Sequence, residues 1–580
     1  MVITQKKAKR TKKRVRRPLT TEQIHAREKR NHKNGIRRLF HSLGFCNVDA
    51  DGIEIDFAGR TGEIDDIFIC ENVLILMEYT VGQPKSTHLL TKKVLFDKIN
   101  GDPIGFLNLC RTKYPAFSKQ FGTVYPDGVV QIRTIYASKQ DPSDELIDNC
   151  PNVNFFHGAT DKYFQALTKT IERSARIEFL KFLGIAHSDF GRPALGQAAN
   201  SVTYHGFLLP EGNSSYPTGF KIVSFYADPE RLIEKSFVLR RDGWRDESHL
   251  YQRILVPKKI KQMRKYLVDE SRVFVNNVIV TLPNDTAIND ASNVGQNLRP
   301  AELDRAKPVS VHIPSGYDKI GIVDGQHRVF CYHEGSDKAE AEISKLRVRQ
   351  HLMVTGIMYP LGTTDIERRS FEAKLFLEIN DNQTGARSSL KHDIEVIIRP
   401  YSGIAVAKRV VQELGRRGPL KGMLQTSYFD SPNKIKTSSI VSYGLRPLVK
   451  YDGADSLFSI WKHASKEVLR DAKGTAHAEL VEEYIRFCAD KINEFLVQVK
   501  LAMAPGTWDI DTQPRCVLLS PTAINGLIVC LRRIIETQQS LSVVSHQKKL
   551  TNVSKFAFSS YKSSQWKRLG TQFFDDHYLS

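Results

Sequence analysis

The chain has 580 residues, 41% of them hydrophobic and 26% charged, with a formal net charge of +20. That length exceeds one ordinary core and sets an expectation of two to four domains, while the eight cysteines form no CxxC pair and no zinc-ligand spacing. No disulfide framework, structural zinc or membrane span is expected, and a cytoplasmic protein without membrane contact fits best.

The charge is concentrated at the start. Residues 1–17 hold nine Lys and Arg and no acid, and residues 18–38 add six more against Glu22 and Glu28, so +13 of the +20 lies in the first 38 positions. A basic arm without apolar content cannot bury a core; residues 1–20 are expected to be disordered alone and to pair with a polyanion, DNA phosphates first. A solubilising tail, an RNA contact or a targeting signal accounts for such a run equally well. Beyond the arm, Thr20-Thr21 reads as a helix start. Ile36, Leu39, Phe40 and Leu43 form its buried stripe, and Gly44 ends it.

An extended region follows. Gly62-Glu63-Ile64-Asp65-Asp66 begins one strand, Glu71-Asn72 turns, and Val73 to Thr80 forms a second, almost wholly apolar strand. This hairpin brings Asp65 near Glu78. Two carboxylates at the end of a buried strand are costly to desolvate, and a divalent ion such as Mg2+ with oxygen ligands is one reason for them; the plain alternative is a surface hairpin whose acids meet water. The order of helix, Asp-bearing strand and Glu-bearing strand resembles the PD-(D/E)XK nuclease superfamily. The resemblance implies that Asp65 and Glu78 are catalytic metal ligands on a diverged restriction-nuclease-like α/β domain spanning residues 21–190. The position that should be lysine is Thr80, so Lys85, first, or Lys92 or Lys93 is the candidate substitute. Val129 to Tyr136 and Val153 to Phe156 read as further strands of this domain, and Tyr163, Leu167, Ile171, Ile177 and Leu180 as a helical stripe. Periodicity fades between Gly191 and Tyr204, which marks a boundary.

Further on, Ile320 to Val323 runs into Asp324-Gly325-Gln326-His327-Arg328. This reads as strand, glycine turn and helix, with Gly325 allowing close backbone approach and His327 and Arg328 adding donors at a positive helix end, an anion site. Asp324 capping a helix with His327 and Arg328 solvated is the competing reading. A helix beginning near Thr364 carries Phe371, Leu375 and Phe376 on its buried face, with Asn380 and Gln383 at its exit, either capping it or reaching a ligand.

The five-residue string, with Tyr251-Gln252-Arg253 and the stretch from Ile379 to Gln383, resembles the DGQHR-domain family, whose DndB-like branch is associated with DNA sulfur modification. The resemblance covers roughly residues 200–400 and implies a ParB/sulfiredoxin-like α/β core over 200–405. It also implies that Asp324, Gly325, Gln326, His327, Arg328, Asn380 and Gln383 face a nucleoside triphosphate, ATP or CTP.

From residue 406 to 580 apolar stripes at helical spacing mark Ile404 to Leu414, Leu457 to Leu469, Leu480 to Val499 and Ala523 to Ile535, a mainly helical C-terminal part. Walker, HExxH, GxSxG and GxGxxG motifs are missing, which excludes the standard chemistries they carry. A multidomain α/β protein of a DNA-modification or defence system is expected. Three functions compete: a DNA-binding protein controlled by nucleotide binding or hydrolysis at the motif, a metal-dependent DNA endonuclease, and a non-enzymatic transcriptional regulator or scaffold. Partners would be DNA and proteins of a modification or restriction system.

Overall fold

The computed structural model describes residues 20–579 except 83, 85, 198–200, 241–243, 246–249, 251, 294–295, 385–387, 427–428, 473–475, 505 and 512–515, and the side chains of 86–88 and 381–384. The basic arm, Lys85 and the Gln383 side chain lie outside this set. The chain divides into two compact units, Met1–Gly158 with Asp189–Leu195, and Ala159–Ser188 with Gly196–Ser580. Both mix helix and strand. No helix among the described residues is long and apolar enough to cross a membrane.

In the first unit, helix α1 (Thr21–Ser42) opens with a capping box in which Thr20 and Gln23 each satisfy the other's backbone amide. Strands β1 (Cys46–Asp49), β4 (Asp66–Cys70) and β5 (Val73–Thr80) then form an antiparallel meander, with a small hairpin of β2 (Ile55–Phe57) and β3 (Arg60–Gly62) inserted. Helices α2 (Ser86–Gly101) and α3 (Pro103–Lys113) follow. Strand β6 (Gln131–Ser138) then pairs parallel to β5, and β7 (Val153–Phe156) parallel to β6. The sheet order is β1-β4-β5-β6-β7.

Alternation gives the sheet two different faces. Ile67, Ile69, Leu74 and Leu76 share a core with Leu89, Leu95, Phe96 and Phe106 of α2 and α3. On the opposite face Phe68 stacks on Phe40 of α1, with ring centroids 4.2 Å apart. Both faces are covered, which is why β4 is buried throughout and β5 in all but its last residue. The stretch from Gly62 to Asp66 is two elements rather than one. β3 ends at Gly62, β4 starts at Asp66, and Asp65 sits on the bend between them.

In the second unit, eight strands run in the order β10-β14-β11-β15-β9-β8-β13-β12. They are β8 (Val202–Leu209), β9 (Lys221–Ala227), β10 (Ser236–Phe237), β11 (Val278–Leu282), β12 (Ala287–Asp290), β13 (Lys307–Ile313), β14 (Ile320–Asp324) and β15 (Leu352–Met358). Val323 of β14 packs with Ala373, Phe376, Leu390 and Ile394 of the helices Asp365–Thr384 and Ser388–Ile398. Residues 159–188, whose periodicity suggested the first domain, cluster with this unit instead. Phe182 meets Trp244 edge-on, and Glu178 pairs with the buried Arg240 at 2.8 Å.

The C-terminal helices Gly403–Arg416, Ala478–Leu501, Pro521–Glu536 and Trp566–Phe574 contribute to one large apolar core. The stripe from Leu457 to Leu469 is not one helix. The α-helix stops at Ile460, because Trp461 turns extended and packs its ring against Tyr484, and a 3-10 segment resumes at Lys466.

Candidate functional site

The last pair of the β4–β5 ladder is Asp66 with Met77. One residue beyond it Asp65 stands opposite Glu78, on the face turned toward α2. Glu78 is only 2% exposed and Asp65 is also buried. The Tyr79 N–H donates to Asp65 Oδ2 at 2.8 Å and fixes the carboxylate at the strand end. Burial raises the pKa of both acids, Glu78 to about 8; the negative charge of Asp65 adds to the rise at Glu78, and Lys92 opposes it.

A lysine reaches Glu78 from helix α2. Lys92 Nζ donates to Glu78 Oε1 at 3.1 Å and also to the Glu63 carbonyl. Lys93, one position on, turns away to pair with Asp97. A signal for Lys92 is present in the sequence: it interrupts the buried stripe of Leu89, Phe96 and Ile99, so a charged side chain is aimed at the core. Tyr136 lies beside Glu78 across the parallel ladder.

The neighbouring acid has a different task. Asp66, 0% exposed, faces α1, where Arg37 grips it through Nε at 2.9 Å and Nη2 at 2.6 Å. Asn47 and the Tyr79 hydroxyl also donate to it, and Lys33 Nζ lies 3.9 Å away. Every described contact of Asp66 is internal, so it holds α1 to the sheet.

Among the described residues no three His, Cys, Asp or Glu side chains gather as a closed metal cage. Two buried carboxylates on one face nevertheless suit Mg2+, which keeps several waters and takes one or two protein carboxylates plus a substrate phosphate oxygen. The donor set of Asp65 and Glu78 therefore fits such an ion.

In the second unit, Asp324 ends β14, Gly325 takes a φ of 100°, and a five-residue helix covers Gln326–Phe330. A β-carbon at Gly325 would press on the Arg328 guanidinium, which folds back over the turn. Most of the motif is committed internally. Gln326 Oε1 accepts from Arg240 Nε at 2.9 Å, and its amide donates to the Arg253 carbonyl at 3.2 Å. Arg240 is 1% exposed and stacks over Phe330.

His327 Nε2 accepts the Val256 N–H at 3.1 Å, and burial pushes its pKa down to about 4, so the ring is neutral at pH 7. Arg328 Nη2 donates to Asp324 Oδ2 at 2.8 Å and to the Asn277 carbonyl at 2.7 Å, while its buried Nε has no acceptor. Asn380 lies inside a helix that continues to Thr384, and its amide donates back to the Phe376 carbonyl at 2.8 Å. Of the flanking residues, His392 bonds Ser442 and Asp393 pairs with Lys408.

No family model, curated protein or solved structure matches the chain.

Proposed function

We propose that the first unit cleaves DNA phosphodiester bonds at a divalent-metal site built from Asp65, Glu78 and Lys92. The carrying observation is Lys92 Nζ at 3.1 Å from Glu78 Oε1, a cation brought by α2 to the carboxylates beside Thr80. The connectivity supports the reading: an opening helix, three antiparallel strands, helices, and a strand parallel to the third resemble the PD-(D/E)XK arrangement. DNA as the substrate is supported by the basic first 38 residues, with Arg27, Lys29 and Arg30 exposed on α1.

In this reading Asp65 and Glu78 hold the ion, whose chemistry is to acidify a water and polarise the phosphate. Lys92 stabilises the negative charge that develops on the phosphate. Buried Glu78 must lose its proton before it can serve as a ligand. Operation within a DNA-modification or defence system, with partner proteins, rests on the DGQHR resemblance.

The test is incubation of the full chain with plasmid, linear duplex and single-stranded DNA, with Mg2+ or Mn2+, then chelator, then metal restored in excess. Cutting that stops with chelator and returns with metal is expected. Cutting unaffected by chelator, or none on any substrate, contradicts the reading.

Nucleotide control at the motif is the second reading. Its one favourable observation is the buried Arg328 Nε without an acceptor beside Gly325. A loss of nucleotide affinity in Arg328→Ala is its test.

A further inference from the structure

The end of β14 opposite the motif carries a better-built anion site. Around Lys319, which precedes β14, and the Thr281–Pro283 end of β11 lies a cleft of about 620 Å³. That volume is within the range of pockets that enclose one small organic ligand. Five strand residues at about 3.3 Å each separate this cleft from the motif turn, so the two places are distinct.

The lining is chemically mixed. Phe237, Leu239, Leu250, Leu282 and Pro283 make an apolar side. Lys181, Arg245, Lys319, Arg368 and Arg369 bring five cations and Asp318, Asp365 and Glu372 three carboxyl groups, with Arg245 also paired to Glu178 at 3.6 Å. Asp318 is matched by Lys181 at 2.6 Å, and Asp365 meets Arg368 only at 3.9 Å. Arg369 has no ion-pair or hydrogen-bond partner among the described residues, and Lys319 has only Asp285 at 3.8 Å. Arg368 Nε is buried with no acceptor.

The Lys319 charge is felt by its neighbours. Lys235 and His187 are both pushed down in pKa, by burial first and then by charges that include Lys319. A buried guanidinium N–H without an acceptor and an unpaired arginine in one cleft is an arrangement that an incoming anion would complete.

The floor is polar. Glu372 is buried, and its Oε1 accepts from Thr281 Oγ1 at 2.7 Å and the Tyr359 hydroxyl at 3.1 Å. Burial raises its pKa. Gly321 is required here, because a β-carbon on it would collide with Thr281 Oγ1 and Phe237.

From this we infer that the cleft between β11, β14 and the Asp365–Thr384 helix binds a nucleoside phosphate, with its phosphates on Lys319, Arg368 and Arg369 and its base along the apolar wall above Glu372. The inference is independent of the nuclease reading, since no residue of the first unit enters it. It also gives a nucleotide a seat away from the motif turn.

The experiment is calorimetric titration of the full chain with ATP, CTP, GTP, UTP and inorganic tripolyphosphate, on wild type, Arg369→Ala, Lys319→Ala and Arg328→Ala. At least one nucleotide should bind, and more tightly than tripolyphosphate, because only a nucleotide uses the apolar wall. Arg369→Ala and Lys319→Ala, which lie on different elements, should each weaken it about tenfold or more. No nucleotide binding, tripolyphosphate binding as tight as any nucleotide, or weakening by Arg328→Ala with neither cleft substitution having an effect, would each overturn the assignment.

Discussion

Adjacent aspartates with opposite duties make the sharpest residue-scale comparison. Asp66 is wholly buried against Arg37, so removing the arginine takes away the guanidinium that doubly bonds a buried charge. Arg37→Ala should therefore destabilise the first unit by about 3 kcal/mol, read by urea unfolding. Asp65→Asn should leave stability nearly unchanged while removing a carboxylate of the proposed site. Equal stability losses in the two variants would merge their roles. Glu78 adds a pH signature. Its carboxyl, ordinarily near 4.5, is pushed up to about 8, so the folded chain holds the proton more tightly than the unfolded chain. The resulting stability is fully present below pH 4.5 and is lost as pH rises through 8. Glu78→Gln should abolish that slope, matching wild type in acid and exceeding it by roughly 5 kcal/mol above pH 8. Parallel curves for the two proteins across this range would refute the assignment. Cleavage should change in the other direction, rising with pH as Glu78 ionises.

At the scale of elements, the cation beside Glu78 comes from helix α2. Lys92→Ala should slow cleavage about 100-fold. Adding Thr80→Lys to that variant should recover part of the loss, because Thr80 shares the Glu78 face at the end of β5. Lys93→Ala, whose partner is Asp97, should change little. The motif turn is similarly specific: Gly325→Ala should cost about 2 kcal/mol in unfolding, from its positive φ and the guanidinium folded over it. Several of these elements were legible in the sequence. The Thr20 start of α1, the apolar run of β5 and the strand into Gly325 are local signals, carried by capping, burial on both faces and a turn. Tertiary choices were not legible. Nothing local separates Asp65 from Asp66 until register assigns their faces, nor breaks the Leu457 stripe until Trp461 finds Tyr484. The motif offers the same lesson in reverse. Its His327 reads as a donor in sequence but accepts a backbone N–H in the fold, a role fixed by a segment some seventy residues away.

For the whole molecule, basicity outside the described residues is expected to govern DNA affinity. Deleting residues 1–17 removes nine cations, so affinity for DNA of any sequence should fall and its dependence on salt should flatten. Gel shifts over a salt series would show this, and an unchanged slope would assign the arm another purpose. The alternation of wholly buried strands with helices made a mixed α/β protein legible from the sequence. Where the units divide was not, because residues 159–188 are recruited by Trp244 and Arg240, far along the chain. The central claim is that Asp65, Glu78 and Lys92 form one cutting site. Single-turnover cleavage of DNA in Mn2+ tests it most directly, comparing wild type with Asp65→Asn, Glu78→Gln and Lys92→Ala, each checked to be folded. Metal-dependent cutting by wild type and a loss of about 100-fold or more in each variant is the predicted result. Cutting that persists in both acid variants would contradict it.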